Sequence, residues 1–436
     1  MQKANKQLGL WTSTSLVVGN MIGAGVFMMP ATLAGFGGIS LVGWVCSSIG
    51  AFLLSKVFAH LSHLLPAANG GPYAYSQKGL GDFGGFLVAW GYLFSVWTTN
   101  AAITVSFISA LSTFIPALAT NSVLAIVTGL ATIWFLTWIN SLGIFTSGVV
   151  QLITTILKIV PIILIGLAGL FYIHWENFLP FNTSGTSTIA AITATTTLTF
   201  FAFLGIECAT IPSGSVANSA ATVAKATTLG TLIATVVYIL STVSIMGMIP
   251  AAQLKNSVTP FADAAILIWG HGAEYWVSAG VAIAAFGALN GWILIQGQLP
   301  FAIAKDKLFP SIFMRLNSKG VPMLGVVISS VFVSVLMSIN YTKGLVEQFK
   351  FLMLMTTSAL IIPYIFCTAS YFILQIRLPF TSNKFLATAI LLASLTFVFC
   401  LWVMIGLGQE AVFWGFFLIL SSLPIYVFAV WKRDKV

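Results

Sequence analysis

Two ionisable side chains lie deep inside long apolar stretches of the sequence, where a charge is costly and therefore points to function. Glu207 stands in FFAFLGIECATIPSG, and Lys158 stands in LITTILKIVPIIL. A carboxyl group at Glu207 could exchange a proton, or it could cap backbone N–H groups and pack by hydrogen bonds. A buried Lys158 needs carbonyl or carboxylate partners and would supply a structural cation, unless its long stem reaches the membrane surface.

Helix-breaking residues interrupt two of these apolar stretches. They are Gly19, Gly23, Gly25 and Pro30 in the first stretch, and Gly205, Pro212 and Gly214 around Glu207. At membrane depth, irregular backbone is tolerated only where its freed polar groups meet protein, ligand or water. The spacing of Gly19 and Gly23 could also serve close helix packing. Two matching interruptions favour a binding break.

A broken helix exposes N–H groups on one side and carbonyl groups on the other, so it can hold both charges of a zwitterion. We expect the N–H groups of Ala24 and Gly25 to bind an α-carboxylate. The carbonyls of Met21, Phe201 and Leu204 would bind an α-ammonium. Glycine allows the close backbone approach that this requires, and the predicted contacts in the first break are Met21, Ile22, Gly23, Ala24 and Gly25.

Trp292 lies in FGALNGWILIQGQ, in the middle of an apolar stretch. A tryptophan of the interfacial belt would lie at the end of a span. Beside a cavity, a mid-span tryptophan can hold a cationic side chain through its ring face. The alternative is ordinary core packing.

The elements that carry these residues are predicted to be membrane-spanning helices. Of the 436 residues, 58% are hydrophobic and only 6% are charged, whereas about a quarter would be charged in a soluble domain. The long apolar runs predict an all-α integral membrane protein, and the short alternating segments of a β-barrel are absent from the sequence. Twelve spans are predicted near residues 9–35, 38–62, 84–114, 122–140, 144–172, 187–214, 223–248, 273–304, 322–340, 346–376, 385–406 and 409–431.

The interruptions in spans 1 and 6 divide this single transmembrane domain, residues 1–436, into repeats. Residues 9–172 and 187–376 each contain five spans, and because five is odd the second set must cross the membrane in the opposite sense. A broken helix at the start of each set is typical of an inverted-repeat transporter. Residues 385–431 add two helices.

The net charge of +9 is distributed unevenly, which argues for membrane topology and against nucleic acid. With a cytoplasmic N-terminus, only Lys255, Lys343 and Lys350 fall outside. This positive-inside bias predicts a multi-pass protein of the cell (inner) membrane with both termini in the cytoplasm. Lys56 lies near the end of span 2 and is expected to reach the interface.

The sequence gives no pattern for a metal, a cofactor or an enzyme active site. Its cysteines are Cys46, Cys208, Cys367 and Cys400, all within apolar spans without zinc-ligand spacing. Its histidines lie at span ends or in loops, and none pairs with a deep nucleophile. The predicted partners are amino acids or amines, bound as small-molecule substrates, and the lipid bilayer, and a homodimer is left open.

Residues 8–430 resemble the amino acid–polyamine–organocation transporters, and within them the bacterial arginine/agmatine and related basic amino acid/polyamine antiporters. The matching stretches are GNMIGAGVFMMPA, GGPYAY, GIECA, IMGMIP, PFADAA, GWILIQGQ, DKLFPSIFMRLN and PYIF. The resemblance implies a five-plus-five inverted-repeat fold and exchange of an amino acid for another or for its decarboxylated amine. It also implies a head-group site at Met21, Ala24, Gly25, Phe201 and Leu204.

The same resemblance implies two further sets of residues. A side-chain pocket falls on Ser95, Val96, Asn100, Trp292 and Thr356, and a cytoplasmic gate falls on Tyr92, Glu207 and Tyr364. The chain departs from the arginine/agmatine pattern where Ala24 replaces a serine and Phe201 replaces a tryptophan. Lys158 is not typical of that branch either, and a lysine at this position resembles the sodium-independent and proton-coupled amino acid transporters elsewhere in the superfamily. Sodium-independent exchange of a basic amino acid is therefore predicted, with a proton-coupled, broader-specificity amino acid permease as the alternative.

Overall fold

A computed structural model describes residues 9–23, 25–66, 68, 70–142, 144–211, 216, 218–339, 344–377 and 383–433. The predicted contact Ala24 lies outside the described residues, as do Pro212, Gly214 and Lys343. All regular elements among the described residues are α- or 3₁₀-helices, which confirms the predicted all-α class.

Each of the twelve predicted spans coincides with helix, and the labels below follow the span numbers. The helices are α1a (Leu10–Met21), α1b (Gly25–Ala34), α2 (Ser40–Leu64), α3 (Pro72–Leu111), α4 (Ser122–Ser141), α5 (Ile144–Gly169), α6 (Thr188–Phe200), α7 (Ser219–Met248), α8 (Ala273–Lys305), α9 (Met323–Ile339), α10 (Leu345–Ile376), α11 (Asn383–Gly406), α12a (Gln409–Leu420) and α12b (Leu423–Arg433). Within the described ranges, ten segments are long and apolar enough to cross a membrane, while α9 has only 17 residues. The count of twelve spans stays a prediction.

Short helices connect the spans. The α-helical connections are Ala117–Thr120, Ala251–Leu254 and Pro260–Trp269, and the 3₁₀ connections are Gly37–Ile39, Leu170–Tyr172, Trp175–Phe178 and Ser311–Met314. Helix α3 begins at Pro72 and loses its helical conformation at Gly81, so the predicted start of span 3 at residue 84 falls just after this break. The helix includes a kink at Gly81, whose φ of 82° is a left-handed value that favours glycine.

The helices pack in two groups that are joined by α5. In one group, α2 packs against α6 and α7, and α1a packs against α7. In the other, α3 and α8 pack against each other and against α4 and α9. Helix α5 contacts both α7 and α8, and α10 packs along α3. Each group contains helices from both predicted repeats, as two repeats with equivalent packing would produce. The repeat itself stays a prediction.

The helices also differ in how deeply they are buried. The second half of α1a, nearly all of α1b and the membrane part of α3 are buried, whereas α4, α11 and α12 present many large apolar side chains at the surface. Apolar side chains on an outer surface suit contact with lipid rather than water. The core therefore lies around α1, α3 and α6, the helices that carry most of the predicted site.

Candidate functional site

The first helix is interrupted where the glycines predicted it. Helix α1a ends at Met21, and Ile22 leaves the helical conformation with ψ of 74°. The Gly23 N–H then donates to the Met21 carbonyl over 2.8 Å, a tight turn, before α1b begins at Gly25. The first N–H groups of α1b have no partner within that helix, so an anion could bind there.

The sixth span is interrupted in a related way. Helix α6 continues as a 3₁₀ turn through Phe203, Leu204 is extended, and Gly205 has a left-handed φ of 109°. A second 3₁₀ helix, Ile206–Thr210, carries Glu207. The Phe201 carbonyl accepts the Leu204 N–H over 3.1 Å, and a carbonyl that accepts one bond retains a second lone pair.

The two interruptions face each other with opposite helix ends together. A Cβ atom on Gly25 would lie 3.2 Å from the ring of Phe201 and 3.6 Å from Cα of Ala202, so the start of α1b meets the end of α6. A Cβ atom on Gly205 would lie 3.5 Å from the backbone nitrogen of Met21, so the end of α1a meets the start of the 3₁₀ helix. Positive and negative helix ends therefore lie side by side, as binding of a zwitterion requires.

Other helices form the surroundings of the breaks. A Cβ atom on Gly23 would lie 3.5 Å from Cβ of Ala288 on α8 and 3.9 Å from Ile103 on α3. The ring of Phe201 meets that of Phe349 on α10 edge to face, with centroids 5.8 Å apart. Phe349 was missed at the sequence level because one phenylalanine among 35 carries no positional signal.

The predicted side-chain pocket is drawn from α3, α8 and α10. Thr356 donates to Thr98 on α3 over 2.8 Å, which fixes α10 beside the α3 residues Ser95 and Val96. The Ser95 hydroxyl donates to the Tyr92 carbonyl over 2.7 Å. Val96 and Asn100 are fully buried, and Trp292 is 3% exposed.

Two polar atoms of this pocket lack a protein partner. The Asn100 Oδ1 and Trp292 Nε1 atoms are buried and have no hydrogen-bond partner among the described residues. Buried polar atoms are rarely left unpaired. One acceptor and one donor are thus available to a ligand or water in the predicted pocket.

Glu207 joins three helices through its two oxygens. Tyr92 on α3 donates to Oε1 over 2.8 Å, and Tyr364 on α10 donates to Oε2 over 2.5 Å. All three side chains are buried. The structure therefore brings together the residues of the predicted gate, and a change in the protonation of Glu207 would alter both contacts.

Lys158 is fully buried, and its Nζ atom donates to the Gly19 carbonyl over 2.5 Å. That carbonyl lies in the last turn of α1a, where the interruption leaves carbonyls without helical partners. The ammonium thus holds α5 against the end of α1a. Lys56 is exposed on α2, as expected for a lysine that reaches the interface.

Gly205→Ala is expected to reduce transport at least severalfold. The left-handed conformation of Gly205 costs an L-residue roughly 1–2 kcal/mol, and its Cβ would contact Asn20, 3.4 Å away. Gly272→Ala is the matched control, because Gly272 is also left-handed, with φ of 102° and ψ of −25°, but has open space around it. Thermal unfolding and initial transport rates of both variants check this: both should lose stability, and only Gly205→Ala should lose transport. Equal transport losses would mean that the break has no special role.

Long apolar helices with two interruptions facing each other define a helical membrane transporter. A protein-family model for amino acid permeases matches residues 8–430. The chain therefore belongs to the amino acid permease family, which confirms the superfamily resemblance.

Several characterised relatives are similar over most of their length. A cadaverine/lysine antiporter of Escherichia coli is 34% identical over 333 residues, which cover 76% of this chain and 74% of the relative. An arginine/ornithine antiporter of Pseudomonas aeruginosa is 30% identical over 97% of this chain and 89% of its own length. A putrescine transporter of Haemophilus influenzae is 27% identical over 99% of both chains. The family and these relatives are transporters rather than enzymes.

Proposed function

We propose that this chain exchanges a basic amino acid for another amino acid or its decarboxylated amine by alternating access, without sodium. The observation that carries the proposal is the contact between opposite helix ends at the two breaks, Gly25 against Phe201 and Gly205 against Met21. The N–H groups at the start of α1b suit an α-carboxylate, and the carbonyls of Met21, Phe201 and Leu204 suit an α-ammonium.

The substrate class is supported by two independent lines. The relatives are named for lysine, arginine, ornithine, cadaverine and putrescine. The three amino acids carry a cationic amine or guanidinium at the end of the side chain, and the two diamines carry a cationic amine at each end. In this chain the predicted pocket combines the ring of Trp292, which can face a cation, with the unpaired acceptor Asn100 Oδ1. Lys158 supplies a fixed positive charge near α1a, so a sodium ion is not needed there.

Uptake into proteoliposomes tests the exchange. Radiolabelled lysine should enter vesicles loaded with unlabelled lysine or cadaverine much faster than empty vesicles. Equal uptake into loaded and empty vesicles would refute obligatory exchange.

The second candidate is a proton-coupled amino acid permease. It is favoured by one observation, the carboxyl group of Glu207 buried between two tyrosine hydroxyls. In that case a pH gradient, acidic outside, would drive uptake into empty vesicles. The same vesicles therefore distinguish the two mechanisms.

Trp292→Leu is expected to weaken the binding of cationic substrates more than that of neutral ones. A cation–π contact contributes about 0.5–2 kcal/mol, which corresponds to roughly a 2- to 30-fold rise in KM for lysine. KM for leucine should stay nearly unchanged, because leucine has no side-chain charge. Competition with labelled lysine gives both values. An equal rise in KM for lysine and leucine would mean that Trp292 only packs against its neighbours.

We also propose that the protein lies in the cell (inner) membrane with both termini in the cytoplasm. The support is the lysine and arginine bias of the predicted loops, to which the exposed Lys305 at the end of α8 and Lys307, Arg315 and Lys319 after it contribute. A reporter enzyme that is active only in the periplasm, fused after the last residue, should be inactive. A homodimer is kept as a second proposal, tested by the mass of the purified protein in detergent.

A further inference from the structure

A chain of buried hydrogen bonds runs from the predicted pocket to the outer helices of its group. Asn100 Nδ2 on α3 donates to Gln296 Oε1 on α8 over 2.7 Å. Gln296 Nε2 donates to the Val326 carbonyl over 3.2 Å and to the Ser330 hydroxyl over 2.9 Å, both on α9. Ser330 also lies 2.7 Å from the Thr137 hydroxyl on α4.

The partners of this chain determine which way each amide points. A backbone carbonyl can only accept, so the atom of Gln296 that faces Val326 must be its nitrogen. Its oxygen then faces Asn100, which must present its own nitrogen to Gln296. Consequently the Asn100 oxygen points away from the chain, and it is buried without a partner among the described residues.

The direction of the end hydroxyls agrees with this order. Ser330 donates its own proton to the Val326 carbonyl over 2.9 Å, so its oxygen is left to accept from Gln296 and from Thr137. Gln296, Ser330 and Thr137 are all buried. Reversal of the Gln296 amide would place its oxygen beside another acceptor, the Val326 carbonyl, and its nitrogen beside another donor, the Asn100 nitrogen. Only one orientation of the Gln296 amide therefore satisfies all of these hydrogen bonds.

Trp292 lies one helical turn before Gln296 on the same face of α8. The chain therefore anchors Asn100 to the face of α8 that also carries the second unpaired polar atom of the predicted pocket, Trp292 Nε1. An oxygen held in this orientation can only accept a hydrogen bond. It accepts from the ammonium, amine or guanidinium end of a side chain, and an aliphatic side chain offers it nothing.

We propose that Gln296 is a positioning residue for substrate selection: through its amide it keeps the Asn100 oxygen facing the pocket, so that the site prefers substrates with an N–H donor at the end of the side chain. This inference rests on the proposed function, because it assumes that the substrate side chain enters the pocket at Asn100. It assigns a role to a residue that contacts no substrate itself.

The test measures binding of lysine and norleucine, whose side chains have similar shapes but differ in the terminal amine. Gln296→Met removes the amide while keeping an unbranched side chain of similar length. Asn100 is then free to turn its nitrogen toward the pocket. Titration calorimetry of the purified full-length protein should show lysine binding weakened about tenfold or more, with norleucine changed by less than about threefold.

A second variant separates orientation from packing. In Gln296→Met/Asn100→Asp, the carboxylate presents an oxygen whichever way it turns, so lysine binding should recover to within about threefold of wild type. Gln348→Met is the matched control, because Gln348 is also buried and donates to a backbone carbonyl, Met337, near the end of α9. Its ratio of lysine to norleucine affinity should equal that of wild type.

The outcomes separate the proposed substrate class from the proposed role of Gln296. A wild type that binds lysine no better than norleucine overturns both the proposed substrate class and the role of Gln296. The wild type could prefer lysine while Gln296→Met keeps that preference or binds lysine and norleucine more weakly by the same factor. In that case the positioning role of Gln296 is wrong and the proposed substrate class stands. A double variant that folds, binds norleucine and still fails to bind lysine also overturns it.

Discussion

Lys158→Met is expected to lower the rate of lysine exchange by roughly ten- to a hundredfold. The substitution leaves the Gly19 carbonyl, which now accepts from Lys158 Nζ over 2.5 Å, buried beside an apolar side chain. A hydrogen bond to a charged group contributes about 1.5–3 kcal/mol, and each 1.4 kcal/mol corresponds to a factor of ten. The loss falls on the last turn of α1a, two residues before its end at Met21, so the geometry of the break should change.

Lys56→Met is the control for removal of a lysine from a membrane helix. Lys56 is exposed on α2, where an ammonium that reaches water contributes little. Its rate should stay within about twofold of wild type, as measured by initial exchange rates in proteoliposomes with equal amounts of inserted protein. If Lys158→Met is as active as Lys56→Met, the ammonium does not support the break.

Glu207→Gln is expected to flatten the pH dependence of transport while leaving substrate binding measurable. The glutamine amide has one oxygen and one nitrogen, so only one of the hydroxyls of Tyr92 and Tyr364 keeps an acceptor in place. Glutamine also cannot take up or release a proton, so the step that depends on protonation loses its titrating group. Rates at acidic and neutral pH should agree within about twofold, whereas those of the wild type should differ.

The control for Glu207→Gln is Glu347→Gln, which removes an exposed carboxylate from the first turn of α10. Its pH profile should match that of wild type. The tyrosine variants Tyr92→Phe and Tyr364→Phe keep the carboxyl group but remove one donor each, so they should shift the profile without flattening it. An unchanged profile in Glu207→Gln would exclude Glu207 as the proton-carrying group.

The breaks could be predicted because glycine is a local signal with a physical cause. Gly205 has a φ that other residues rarely adopt, and a Cβ atom on Gly25 would force the ring of Phe201 to shift by a few tenths of an ångström. Both facts follow from the absence of a Cβ atom, which is visible in the sequence. Lys158 and Glu207 could be found for a similar reason, since a charge inside an apolar run is conspicuous wherever its partner lies.

The partners themselves could not be predicted from composition and spacing. The bonds from Asn100 to Gln296 and from Gln296 to Ser330 join residues far apart in sequence, and mid-span amides indicate a need for partners without naming them. The part of α3 before Gly81 lies outside the predicted span because Gln77, Lys78 and Asp82 are polar around Gly81, a composition typical of a loop. In the structure Gln77 donates to Asp82 over 3.0 Å, across the break in helical conformation at Gly81.

The most direct test of the proposed substrate site is an experimental structure of the full-length protein with lysine bound. We expect the α-carboxylate within hydrogen-bond distance of the N–H groups at the start of α1b, and the α-ammonium at the carbonyls of Met21 and Phe201. The side chain should point toward Trp292 and Asn100. Lysine bound elsewhere, or with its α-carboxylate away from both breaks, would contradict the claim that two facing broken helices form the substrate site.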